Sequence, residues 1–229
     1  MTKSEESISK GLDLSLKNPI IFMPALVPIV VGIIFTLLAY AFATTYYIGA
    51  KEFVVPNIYL SFGGSFIAYI LGTVAGFMIV DMANDILNDR QADLTKSLNV
   101  IISRFGTLIL ATIIAAIFGI TIVLLPIAFF LITIVIVDGL DAIESVKRSF
   151  DFVIKNIKEA LIFILIVIIV QIIVSVVLSL IPIVGPLIAT VVSWVLNVVF
   201  LASSVHFYRS LKELPPPPPP PPPLPPPPP

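Results

Sequence analysis

The sequence predicts an all-α fold, a polytopic membrane bundle of six transmembrane helices with short cytoplasmic interfacial helices preceding spans 1, 3 and 5. Three observations predict it. Mean hydropathy is +1.11, with 58% hydrophobic and 12% charged residues, a composition outside the range of ordinary soluble domains. Apolar runs fall near 20–42, 58–80, 101–120, 122–137, 159–181 and 187–207, recurring at roughly the 20-residue length that crosses a hydrocarbon core of about 30 Å. When these runs are read as spans, the thirteen Lys and Arg separate almost completely onto one side.

The first run is preceded by a segment carrying Glu5, Glu6 and Asp13 against Lys3, Lys10 and Lys17. Small residues in AYAFA at 39–43 suit signal cleavage, but the apolar run is longer than a signal core of about 7–15 residues, so a retained first helix is expected. In the second run, Gly64, Ala68, Gly72 and Gly76 recur every four residues and predict a flat helix-packing ridge, for the bundle itself or for a homo-oligomer. Between 100 and 137 the single charge is Arg104. One helix of that length would reach about 57 Å, so the chain must turn back, with Gly119 and Pro126 supplying the break. PIVGP at 182–186 supplies the same device after span 5. Lys51 alone lies on the outer side, beside Tyr46, Tyr47 and Tyr59, which resemble an aromatic belt. The expected topology is a multi-pass cell-membrane protein with both termini cytoplasmic.

A half-polar phrase recurs as LDLSLKNP at 12–19, SLNVIISRF at 97–105 and SFDFVIKNI at 149–157. Aligning Leu12, Leu98 and Phe150 puts Asp13, Asn99 and Asp151 in register, then Leu16, Ile102 and Ile154, then Lys17, Ser103 and Lys155, then Asn18, Arg104 and Asn156. The apolar positions around each copy follow helical spacing, which predicts amphipathic helices at the inner membrane surface. The chain then reads as three units, each a surface helix followed by a two-span hairpin. Ordinary membrane-entry chemistry accounts for the polarity of these phrases but less well for their shared order.

With these features, AIESVKRSFDFVIKN at 142–156 and DMANDILNDRQADLTKSLNVIISR at 81–104 resemble those of uncharacterised archaeal and bacterial six-helix membrane proteins. These are classed as a domain of unknown function, distantly akin to the membrane domain of some glycerophosphodiester phosphodiesterases. The resemblance covers about residues 1–210 and implies fold and membrane location without an activity; the tail departs from it.

Net charge is −1, which offers no field for nucleic acid, and the absence of cysteine excludes disulfides, thiolate metal sites and thiol nucleophiles. Asp81, Asp85 and Asp89, with Asn84 and Asn88, are candidate ligands for a hard cation such as Mg2+. NDILNDRQAD approaches the aspartate-rich signature of intramembrane prenyltransferases, but Asn88 replaces an acid and only Asp138 and Asp141 could stand for a second motif. The simpler reading is a solvated extension of the second helix. No acid or base is expected at mid-membrane depth, which argues against ion-coupled transport. Gln171 and Asn197 are polar residues inside spans 5 and 6. His206 reads as an interfacial residue and Trp194 as packing.

Residues 211–229 form a separate proline-rich tail after the 1–210 membrane domain. Polyproline adopts a stiff extended helix that binds aromatic-lined grooves, so Pro215, Pro218 and Leu224 are the expected partner contacts, with an inert spacer as the alternative. The sequence therefore favours a non-enzymatic anchor or scaffold without cofactor, surrounded by membrane lipids and offering the tail to a proline-motif-binding cytoplasmic protein. A transporter or lipid-handling protein using Gln171 and Asn197 is the alternative, and an Mg2+-dependent lipid enzyme the remote one.

Overall fold

The computed structural model describes residues 2–49, 51–121, 123–181 and 184–212; Pro215, Pro218 and Leu224 lie outside that set. The described helices are α1 Lys3–Lys17, α2 Met23–Ala41, α3 Ile58–Ile86, α4 Leu94–Ser103, α5 Phe105–Gly119, α6 Leu125–Val137, α7 Ala142–Lys155, α8 Ile157–Ser179 and α9 Val184–Lys212. A 3-10 turn, Pro19–Phe22, runs directly into α2. The fold is all-α apart from one hairpin, β1 Thr44–Ile48 against β2 Lys51–Val55, which joins α2 to α3.

The three recurrent phrases become three equivalent devices. Each short helix opens on a side-chain cap: Thr2 accepts from the Glu5 amide at 3.3 Å, Asp93 from Lys96 at 2.9 Å and Asp141 from Glu144 at 2.9 Å, satisfying donors that a helix start leaves open. Each ends at the aligned residue Asn18, Arg104 or Asn156, whose backbone leaves helical geometry before the next apolar helix begins. Asn18 and Asn156 each turn their side-chain amide back to the carbonyl four residues earlier, at 3.0 and 2.9 Å. The residue before each aligned start, Gly11, Ser97 or Ser149, is buried, whereas Leu16, Ile102 and Ile154 all point outward.

These three units close on one another in cyclic order. The short helix α4 packs on α3, α7 packs on α6, and α1 packs on α9, so each leans on the last helix of the unit before it. The hairpin second arms α3, α6 and α9 contact one another in the middle. Outside them, α2 packs on α3 and reaches α9, and α8 packs on α9 and reaches α6; α5 packs on α6 without a comparable seam along α3.

Among the described residues four helical spans, 19–41, 58–86, 157–179 and 184–212, are long and apolar enough to cross a membrane, and the count becomes five if α4 and α5 are taken as one broken span. That pair is bent by 79° at Arg104, so the run expected from 101 to 120 is not one straight helix. Its continuous part, α5, has 15 residues and α6 has 13, lengths of about 22 and 20 Å. Gly119 ends α5, and Pro126 sits in the first turn of α6, where its missing amide costs nothing.

One further departure from expectation has a simple cause. The connection 44–55 between α2 and α3 is strand-rich, because TTYYI and KEFVV supply β-branched and aromatic residues on either side of Gly49, whose φ of +63° suits a hairpin turn. Where the sequence places the PIVGP break, Gly185 lies so close to the end of α8 that an added Cβ would sit 2.0 Å from the Leu178 carbonyl oxygen, which makes glycine necessary there.

The core has two parts. One surrounds α3 through Ile79, Val80, Met82 and Ala83, with Leu108 and Ala111 of α5 and Ala202 and Val205 of α9. The other is aromatic: Phe130, Phe152, Phe163 and Phe207 from α6, α7, α8 and α9. Phe130 stacks on Phe207 at 5.2 Å between centroids, and Phe163 meets Phe207 at 5.0 Å; each such pair adds about 0.5–1.5 kcal/mol beyond burial.

Candidate functional site

The polar interactions concentrate where the short helices join the bundle. On α3, Asp81 and Asp85 lie on the face that α4 covers. Ser97 Oγ donates to Asp81 Oδ2 at 2.6 Å. Asp85, only 2% exposed, pairs with Arg90 Nε at 3.1 Å and with Lys96. These two acids are therefore not a solvated helix extension. They anchor α4 to α3, because a buried carboxylate must find donors or cations. Asp89 stands apart in the turn beyond α3, with φ of +56°. Thus the face expected to join Asp81, Asp85 and Asp89 is broken by the end of the helix at Ile86. Among the described residues no group of three or more His, Asp or Glu side chains converges as a metal site.

Asp138, at the C-terminal cap of α6, organises a second cluster. Tyr208 donates its hydroxyl to Asp138 Oδ2 at 2.6 Å, and Lys212 Nζ lies 2.6 Å from Oδ1. Arg148 approaches from α7, with Nε 3.5 Å from the Tyr208 hydroxyl oxygen and 3.9 Å from Asp138 Oδ2. The Tyr208 hydrogen bond is the main influence pushing the Arg148 guanidinium above its ordinary value, so it stays cationic. Lys212 also lies 5.5 Å over the Tyr208 ring, within cation–π range.

Arg104 has a structural task that its position as a lone charge did not reveal. Its Nη1 donates to the Val135 carbonyl at 2.8 Å and its Nη2 to Leu140. One guanidinium thus closes the C-terminal end of α6, where unpaired carbonyls and the helix dipole favour a cation. The contacts of α1 with α8 and α9 are also polar: Ser4 donates to the Glu159 carbonyl of α8 at 2.8 Å, and Ser7 Oγ lies 3.0 Å from His206 Nδ1 of α9. Gly11 faces Ser203 so closely that a Cβ would come within 2.6 Å of the Ser203 Cα. The small residues at 4, 7, 11 and 15 carried a signal for this seam; the Gly64 ridge drew attention away from it.

That ridge divides its work. Gly64 is covered by Phe35 of α2 and Gly72 by Trp194 of α9, both closer than a Cβ would permit, while Gly76 has Leu201 at ordinary contact distance. Ala68 is half-buried beside a cleft of about 470 Å³ between α2, α3 and α9. A larger cleft of about 740 Å³ separates α3 from α5 and is floored by α6 and α9, at the position where the cyclic packing lacks an α5–α3 seam. Gly72, Gly76, Ala115 and Ala116 line it, with Asn197 as its main polar group. Gln171 lines neither cleft, so the two polar residues expected to share a path are separated.

The class these observations define is an all-α protein with several helices fit to cross a membrane. No family model, curated protein or solved structure matches the chain.

Proposed function

We propose that the chain is a six-span integral membrane protein of the cell membrane, with both termini cytoplasmic, serving as a non-enzymatic anchor or scaffold that presents its proline-rich tail to a partner. The observation that carries this reading is the pinning of the last turn of α9. Tyr208 and Lys212 both bind Asp138 of α6 at 2.6 Å. The tract from Pro215 onward therefore starts three residues beyond a fixed point on the bundle. A stiff ligand held at a fixed origin loses less entropy on binding than one on a loose leash.

Six crossings require α5 and α6 to count as spans although each falls short of a bilayer of about 30 Å, which local thinning accommodates. The outward-pointing Leu16, Ile102 and Ile154 support a surface position for the short helices. Relationship to the six-helix family named above belongs to the same proposal.

Because the chain has no cysteine, single-cysteine variants at Lys3 and Gly49 test the topology directly with an impermeant maleimide. Labelling of both from the same side would refute it. For the tail, the test is capture by the full chain compared with a chain ending at Lys212. A partner retained by both, or by neither, counts against the scaffold reading.

The α3–α5 cleft favours a second reading as a lipid-handling protein, because an apolar groove with one carboxamide suits an acyl chain and its ester. Lipid movement in proteoliposomes that is abolished by Asn197→Leu would select it; unchanged movement would remove it.

A further inference from the structure

We propose that the concavity between α7 and α9 binds a phosphate-bearing anion, a phospholipid headgroup or a soluble phosphate, through Arg148 and Lys155. The hollow has a volume of about 220 Å³ and is lined by Arg148, Asp151, Phe152, Lys155, Tyr208 and Lys212 among others. Its cations are not equally engaged. Lys212 is committed to Asp138 at 2.6 Å. Arg148 touches the Asp138–Tyr208 pair only through Nε, leaving both terminal nitrogens without a hydrogen bond among the described residues. Lys155 has neither an ion pair nor a hydrogen bond among them. Asp151 is the one carboxylate in the lining, and even with Asp138 behind it the three cations leave an excess of positive charge.

A cation in the last turn of α7 also answers the helix dipole, and Lys155 alone would need no other explanation. Arg148 lies two turns further back, beyond the reach of that effect, and faces the same hollow. An Arg fork and a Lys point charge converging on one space are the usual means of holding a phosphate. The neighbouring Ile154 and Ile157 are exposed on other faces of the same segment, which sets the hollow at headgroup depth if α7 lies on the membrane surface. The headgroup source rests on that reading; the soluble source does not.

The experiment uses the full chain in phosphatidylcholine nanodiscs doped with phosphatidylglycerol, with retained lipid read by native mass spectrometry. A parallel calorimetric titration with inorganic phosphate uses the chain in detergent. The variants are Lys155→Gln, Arg148→Lys and, as a charge-matched control, the exposed Lys158→Gln outside the hollow. Loss of the charge-assisted contact is expected to weaken binding about tenfold in Lys155→Gln and leave Lys158→Gln within about twofold. Selective retention of phosphatidylglycerol with that pattern identifies the headgroup. Phosphate binding with the same pattern identifies a soluble ligand, even if the membrane reading fails. Binding in neither arm, or equal loss in Lys155→Gln and Lys158→Gln, overturns the proposal.

Discussion

Gly11→Ala tests the seam that joins the two ends of the chain. A Cβ at position 11 would lie 2.0 Å from Ser203 Oγ and 2.6 Å from both Ser203 Cα and N. The hydroxyl can rotate away; the backbone atoms cannot, so α1 and α9 must separate until those contacts reach at least 3.4 Å. Overpacking of this kind costs about 1–3 kcal/mol. The separation also stretches the Ser7–His206 contact, worth about 0.5–1.5 kcal/mol. Against this stands the gain of about 1 kcal/mol when alanine replaces glycine within a helix. The expected net loss is about 2 kcal/mol, roughly a 30-fold shift in the folding equilibrium. Gly76→Ala is the matched control, since its nearest neighbour would be Leu201 Cδ1 at 3.5 Å; it should be neutral or stabilising by up to about 1 kcal/mol. Reversible unfolding measured by steric trapping in bicelles reads both. A Gly11→Ala chain as stable as the parent, or more stable, would refute the seam.

Arg104→Ala should destabilise by about 2–3 kcal/mol through loss of two charged hydrogen bonds, and Arg104→Lys should restore only part of this because one ammonium cannot span both carbonyls; hydrogen exchange should rise first in the last turn of α6. Tyr208→Phe removes the hydroxyl whose hydrogen bond Asp138 accepts, with an expected cost of about 1–2 kcal/mol, and should loosen the last turn of α9 as read by spin-label mobility at Ser210, which keeps Lys212 in place; an unchanged spectrum would show that Lys212 holds that turn alone.

Much of the architecture was legible because periodicity and register are local properties. The alignment of Asn18, Arg104 and Asn156 falls on the three residues where helices break, although the break at Arg104 lies inside the run expected at 101–120. The start of α5 was not legible, because the bend depends on Arg104 finding carbonyls 31 and 36 residues away. The burial of Asp81 and Asp85 escaped for a related reason. Asp beside Asn at a helix end suggests water, and only the placement of Ser97 and Lys96 turns those carboxylates inward. The Tyr46 and Tyr47 segment suggested an interfacial belt; the β-branched and aromatic residues on either side of Gly49 also form a hairpin.

The cyclic order of the three units imposes a schedule on synthesis. As the chain emerges, α4 meets α3 and α7 meets α6 almost at once, because each partner has just been made. The first helix has no such neighbour: its own partner, α9, is the last helix to appear. The part of the α1 face that meets α9, with Ser7 and Gly11, must therefore remain uncovered until α9 is made, and that helix completes the ring. A permuted chain beginning at α4, with α1 to α3 joined after α9, would give α1 and α7 partners made just before them and transfer the wait to α4, whose partner α3 would then come last.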